Sequence, residues 1–134
     1  VWTIPADRMK AGKVHQVPLS KSALVIFQKR REMTNSHLVF EGQKEGKSIS
    51  NMAMLSLMRR HFPKVHAVPH GFRSSFRDWA ENQNFSHRAV EYCLAHTLKN
   101  KVEAAYQRDV LLEQRRYIMN AWQSHVTLAK HAEI

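Results

Sequence analysis

Residues 70 to 77, HGFRSSFR, place a histidine, a glycine and two arginines at the start of an apparent helix, with Pro69 just before it. A helix N-terminus carries a partial positive charge, so cations crowd there unfavourably unless an anion answers them. The helix spacing puts Arg73 one turn on from His70, and the sequence predicts free N–H groups at His70 and Gly71 as a seat for that anion. A guanidinium takes two oxygens of one phosphate in a fixed fork, so phosphate is the anion this pattern suits. The bland reading is a solvated basic face with His70 as a cap.

Two other groups could join such a site. In LAHTLKNKVEAAYQR (94–108), His96 closes one helix and Tyr106 follows ten positions later in a short second one. Alone, these are a histidine suited to a helix C-terminus and a packing tyrosine. RMKAGKVHQVP (8–18) is the tip of a hairpin carrying Lys10 and Lys13. Most loop lysines only solvate a surface, but one reaching a phosphate can donate a proton to a leaving oxygen.

Composition points to the same partner. Lys and Arg number 21 against 11 Asp and Glu, a formal net charge of +10, which favours a polyanion, nucleic acid before anionic membrane. Apolar residues make up 43% of 134 residues, enough for a core in a single domain over 1–134. No run approaches the ~18 apolar residues of a membrane span, and no secretory signal is present. The single Cys93 excludes an internal disulfide and a cysteine-based zinc site and fits a reducing cytoplasm.

The elements that must position these groups follow from patterning. Residues 2–4 and 15–20 read as strands around a long polar tip. Ser20 is expected to cap a helix to about Met33, with Leu24 and Phe27 inward. Residues 34–47 are loop-like around a short buried LVF (38–40). Ser50 is expected to cap a second helix, with Leu55, Met58 and Phe62 as its apolar seam. In the third helix Phe72, Phe76, Trp79 and Ala80 share one face, and His70, Arg73 and Arg77 the opposite one. Ser86 caps a fourth helix to about Ala95 that buries Val90, Cys93 and Leu94. TLKNK breaks it and VEAAYQR forms a short helical turn. Asp109 caps a last helix to about Lys130, with Leu111, Leu112, Ile118, Met119 and Trp122 inward. The expected fold is mainly α with a small β-hairpin.

Taken in order, RMKAGKVHQVPLS, HGFRSSFRDWA and LAHTLKNKVEAAYQR resemble the lysine hairpin, the His-x-x-Arg box and the Leu-Ala/Gly-His-to-tyrosine segment of the tyrosine recombinases. This is the phage integrase family, and the resemblance is nearest to integrases of prophages and genomic islands, whose tail RRYIMNAW also resembles. It runs from about Trp2 to Trp122. The resemblance implies that Tyr106 attacks a DNA phosphate to form a 3′-phosphotyrosyl link and that Arg73 holds the non-bridging oxygens. It further implies that His70 assists proton movement, Lys10 protonates the departing 5′-oxygen and His96 hydrogen-bonds the phosphate or positions the site. No metal or other cofactor is implied. Arg8, Lys13, Arg77, Lys99 and Lys101 are expected on the DNA backbone, Arg77 alternatively in a salt bridge. Tyr92 and Tyr117 lack the spacing from the histidine and read as packing or surface groups.

The family's first arginine lies upstream of the hairpin, and Arg8 does not match that motif. The chain is therefore expected to be the C-terminal part of a catalytic domain, working on double-stranded attachment sites with other protomers. A non-catalytic DNA-binding remnant is the main rival. A zinc module on His61, His66 and His70 is disfavoured by Pro69 and by the lack of His-Glu-x-x-His. Loss of one preorganised phosphate donor costs ~10²–10³-fold in rate. The isolated chain is therefore expected to bind duplex DNA, with the logarithm of its affinity falling linearly in log salt, while cleaving weakly or not at all. Filter binding across a salt series, beside a cleavage assay, checks both halves.

Overall fold

The computed structural model describes residues 1–96 and 108–128, the last segment with side chains from Leu111 onward. Strands β1 (Trp2–Ile4) and β2 (His15–Val17) pair antiparallel with Trp2 opposite Val17, Thr3 opposite Gln16 and Ile4 opposite His15. Between them runs a 3₁₀ turn over Ala6–Arg8 and a tight reversal in which the Gly12 N–H donates to the Met9 carbonyl at 2.8 Å. Gly12 sits at φ +61°, a left-handed conformation that glycine adopts without a Cβ clash. Five helices follow: α1 (Lys21–Met33), α2 (Ala53–His61), α3 (Gly71–Glu81), α4 (His87–Cys93) and α5 (Arg108–Leu128). The described fold is thus mainly helical with one two-stranded sheet, as the patterning predicts.

The chain divides into two compact units. One comprises Val1–Ser22 and the chain from Phe76 onward, the other Ala23–Ser75. In the first, Phe76, Ala80, Ala89, Val90, Leu94, Leu111 and Ile118 form the core, with Trp79, Phe85, Cys93, Met119 and Trp122 packed around it. Trp122 meets Phe76 edge-on at 5.6 Å and Trp79 at 5.0 Å between ring centres, both arrangements that the aromatic quadrupoles favour. The Ser22 N–H donates to Gln123 Oε1 at 2.7 Å, fastening the first residues of α1 to α5.

In the second unit, the Arg30 guanidinium donates through Nε to the Val39 carbonyl at 3.2 Å and stands over the Phe40 ring at 5.7 Å. The loop beyond is closed by the Glu41–Ser48 bridge and by a 2.7 Å hydrogen bond from the Gly42 N–H to the Lys47 carbonyl. A Cβ at Gly42 would lie 2.7 Å from the Ser48 carbonyl oxygen, which explains a glycine there.

Several expectations are corrected. Leu24 is exposed and no residue of α1 is buried, so its apolar positions do not form a buried face. Val39 and Phe40 are exposed, leaving only Leu38 of the LVF run half-buried. Met52, not Ser50, is the N-cap of α2; Ser50 instead accepts the Ala53 N–H through its backbone at 3.0 Å. Phe62 stands outside α2 and is 61% exposed, because the chain leaves the helix there at ψ +58°. Phe72 is 57% exposed, since the buried face of α3 begins only at Phe76. Ser86 precedes α4 as expected but accepts the Val90 N–H with its carbonyl rather than capping with its hydroxyl. Asp109 lies inside α5, which already starts at Arg108.

Ile118 is 2% exposed among Leu111, Val90 and the aromatic cluster. Ile118→Ala is therefore expected to lower the unfolding free energy by about 2–5 kcal/mol, whereas Leu24→Ser should stay within about 0.5 kcal/mol. Urea titration followed by tryptophan fluorescence separates the two.

Candidate phosphate and strand-transfer site

His70 and Arg73 stand at the entrance of α3, both exposed, in the second unit. His70 precedes the helix rather than belonging to it. The Gly71 half of the expected amide seat is taken: the Gly71 N–H donates to Val68 at 2.9 Å, the Phe72 N–H to Pro69 at 3.3 Å and the Arg73 N–H to His70 at 3.1 Å. These successive i to i−3 bonds tighten the first turn and use the donors that a loosely capped helix would present. An anion answering the charge here is not met by the Gly71 amide.

In the first unit, α4 ends in a tight reversal that fixes His96. The His96 N–H donates to the Glu91 carbonyl at 3.0 Å and the Ala95 N–H to Tyr92 at 3.2 Å, the paired bonds of a Schellman cap. The cap requires its penultimate residue in the left-handed region, and Ala95 takes φ +57°. Only glycine, lacking a Cβ, takes that backbone without strain, so Ala95 holds the turn at a conformational cost that the two capping bonds offset. The same turn brings the His96 ring back onto its own helix, where Nδ1 lies 2.7 Å from Glu91 Oε2. Arg77 Nε lies 3.5 Å from the other carboxylate oxygen and 3.2 Å from Glu81.

Glu91 is thus a nearly buried carboxylate, its side chain 12% exposed, between a histidine and an arginine. The hydrogen bond with His96 holds its carboxyl below the ordinary value, helped by the His96, Arg77 and His87 charges and opposed by burial. With Glu91 ionised, His96 Nδ1 is the donor of that bond. Of the two roles expected for Arg77, the ion pair is the one the structure contains.

Lys10 and Lys13 are exposed near the hairpin tip with Arg8 in the preceding turn. The base of that hairpin is held by a residue that motif reading passed over. Arg115, on α5, is 5% exposed. Its Nη1 donates to the Gln16 carbonyl of β2 at 2.8 Å and reaches the Tyr92 carbonyl of α4 at 3.5 Å, while Nε donates to Leu111 at 3.3 Å. Burial lowers its pKa, with the Cys93 and Tyr92 side chains pulling it back. The neighbouring groups answer in kind. Burial, then the Arg115 charge, push His15 below the ordinary histidine value, and burial pushes the Cys93 thiol up to about 11. Cys93 is thus protonated at neutral pH and a poor nucleophile.

Tyr106, Lys99 and Lys101 lie outside the described residues, as do the expected TLKNK break and VEAAYQR turn. Glu91 and Arg115 are the two site-supporting residues that motif reading missed. A signal for Arg115 existed: with Leu111, Ile118 and Trp122 it stands at i, i+4, i+7 and i+11, which is the apolar face of α5. Among the described residues no group of three or more His, Cys, Asp or Glu could hold a metal ion, and no helix is long and apolar enough to cross a membrane.

Comparison with known proteins finds relatives of one kind. The chain is 33% identical over 135 residues to the prophage integrase IntA of Escherichia coli K12, covering 99% of this chain and 33% of that protein. It is 34% identical over 119 residues to the prophage integrase IntZ of the same organism, covering 87% of this chain and 29% of the relative. The integrase of enterobacteria phage P4 is 28% identical over 152 residues, covering all of this chain and 35% of its own. The chain thus spans about a third of the length of these relatives. No family model and no solved structure matches.

The Glu91 pair has a pH signature. A carboxyl held below its unfolded value stabilises the fold above about pH 4.5 and loses that contribution as the pH falls through its folded value. Glu91→Gln is expected to cost on the order of 1 kcal/mol at pH 7, allowing for the part-exposed His96. It should cost less at acid pH, once the pH has fallen through the folded value and the native carboxyl is itself protonated. Urea midpoints at both pH values check the convergence.

Proposed function

Because this chain is a relative of the phage integrases, we propose that it is the DNA-cleaving part of a site-specific recombinase acting through a phosphotyrosyl intermediate. The observation that carries the reading is the sequence relationship to a prophage integrase over 99% of the chain, containing Lys10, His70, Arg73, His96 and Tyr106 in the family's order. In this mechanism the Tyr106 hydroxyl oxygen attacks the scissile phosphorus, the bond to the 5′-oxygen breaks, and that oxygen takes a proton from Lys10. A phenol with a pKa near 10 attacks poorly until its proton is drawn off and the growing phosphoryl charge is met. His70 would assist the first task. Arg73 would perform the second as a bidentate donor, the role cations play wherever phosphoryl groups transfer.

The geometry of His96 fits its place in this scheme. With Nδ1 engaged by Glu91 and the backbone fixed by the Schellman cap, the ring is held in one orientation. A hydrogen bond from a positioned ring costs less ordering than one from a free side chain. The net charge of +10 favours duplex DNA as the partner. Exposed Arg8 and Lys13 are proposed backbone contacts beside Lys10, with Lys99 and Lys101 assigned the same role from the sequence. Further protomers on the same DNA are proposed partners. The energy of the broken phosphodiester is kept in the tyrosyl ester, so rejoining needs no nucleotide triphosphate.

The test uses supercoiled plasmid in EDTA, with a denaturing gel to trap covalent protein–DNA and with Tyr106→Phe alongside. Relaxation or an adduct that survives EDTA is expected from the chain, and a loss of at least ~10³-fold from the variant, with plasmid retention on a filter unchanged. Binding without an adduct in either protein would favour the non-catalytic remnant.

A further inference from the structure

Arg115 is a charged side chain buried against three backbone carbonyls, and the proposed chemistry has so far given it no task. Its partners are the carbonyls of Gln16, Tyr92 and Leu111. Gln16 lies in β2, the strand that returns from the hairpin tip bearing Lys10. Tyr92 lies in the last turn of α4, four residues before His96, and is itself part of the cap that fixes His96. The Leu111 carbonyl belongs to α5, the helix that follows the segment bearing Tyr106. One guanidinium therefore stitches together the bases of the elements that precede or follow all three groups.

The chemistry of the contact suits a positional role. Carbonyl oxygens are fixed by the backbone, so donors aimed at them set the distance between chain segments rather than between flexible side chains. The planar guanidinium offers its N–H groups in directions that an ammonium cannot reproduce. Burial leaves no water to replace a lost bond, so removing the guanidinium frees the hairpin base to shift. On the proposed reaction, which this inference rests on, we infer that Arg115 is a positioning residue that holds the Lys10 hairpin in register with the His96 turn. It touches neither DNA nor the reacting atoms.

A positioning role separates from a merely structural one by the leaving group. Sulfur in place of the 5′-oxygen departs as a thiolate and needs no proton, so it bypasses any defect in proton delivery from Lys10. The substrate is a duplex selected from a random library for binding to the chain, its cleavage position mapped by the adduct and then made with oxygen or sulfur there. Arg115→Met is expected to slow adduct formation by about 10²-fold on oxygen, and sulfur should restore it to the rate of the unsubstituted chain, as for Lys10→Ala. Arg115→Lys should fall between, and Arg116→Met should match the unsubstituted chain on both. Hydrogen exchange read in parallel should show faster exchange of the β1 and β2 amides in Arg115→Met, with α3 and the C-terminal part of α5 protected as before.

Equal loss on oxygen and sulfur, or loss of protection throughout the chain, would reduce Arg115 to a folding residue and overturn the inference. So would unchanged hairpin exchange. A Lys10→Ala variant that sulfur does not rescue removes Lys10 as the proton donor and defeats the inference while leaving Tyr106 chemistry intact. Absence of an adduct from the unsubstituted chain on both substrates defeats the proposed reaction itself, and the positioning role with it.

Discussion

A buried arginine with no carboxylate partner among the described residues is the constraint around which the first unit is built. Taking an isolated charge out of water costs several kcal/mol, and among the described residues Arg115 recovers it from backbone carbonyls and from the Tyr92 ring, whose centre lies 6.0 Å from the guanidinium carbon. Hydrogen bonds to a charged donor contribute about 1.5–3 kcal/mol each, so the arrangement is sustained only while β2, α4 and α5 all remain in place. Such dependence makes the three elements a cooperative set. It also explains the tuning around them, since burial presses both His15 and Cys93 toward their neutral forms, the arginine's charge adding to burial at His15 and opposing it at Cys93.

The second organising feature is the turn at the end of α4. A helix must satisfy its last carbonyls somehow, and here the chain does so by reversing through Ala95 in a left-handed conformation. The reversal delivers His96 back to Glu91, a residue of its own helix, so ring placement depends on local backbone geometry more than on distant packing. Glu91 is shared with Arg77 from α3, and the carboxylate therefore links two helices while fixing a histidine tautomer. In a chain with twice as many cations as anions, nearly burying a carboxylate at this point is informative. It is where the fold spends one of its few negative charges.

What was legible beforehand divides along physical lines. The hairpin, the five helices and the apolar face of α5 were readable, because strand alternation and helical periodicity are local properties of the chain. The order of Lys10, His70, Arg73, His96 and Tyr106 was equally visible, since motif spacing survives without coordinates. The exposure of Leu24, Phe62 and Phe72 was not readable, because whether an apolar face is covered depends on which elements meet it. The Gly71 amide looked free for an anion, and the Val68 carbonyl claims it instead. Glu91 escaped notice because its partner stands five residues away, a spacing that becomes a contact only through the left-handed turn at Ala95.

The sequence by itself therefore determined the kinds of element, the basic surface and the set of groups able to act on a phosphate. These follow from residue type and spacing, which no neighbour can change. Tertiary structure alone decided that Arg115 is inside rather than in solvent, and that its donors reach carbonyls of two other elements. That outcome rests on desolvation, and the cost of removing a charge from water is fixed by everything that surrounds it, not by the residue that carries it.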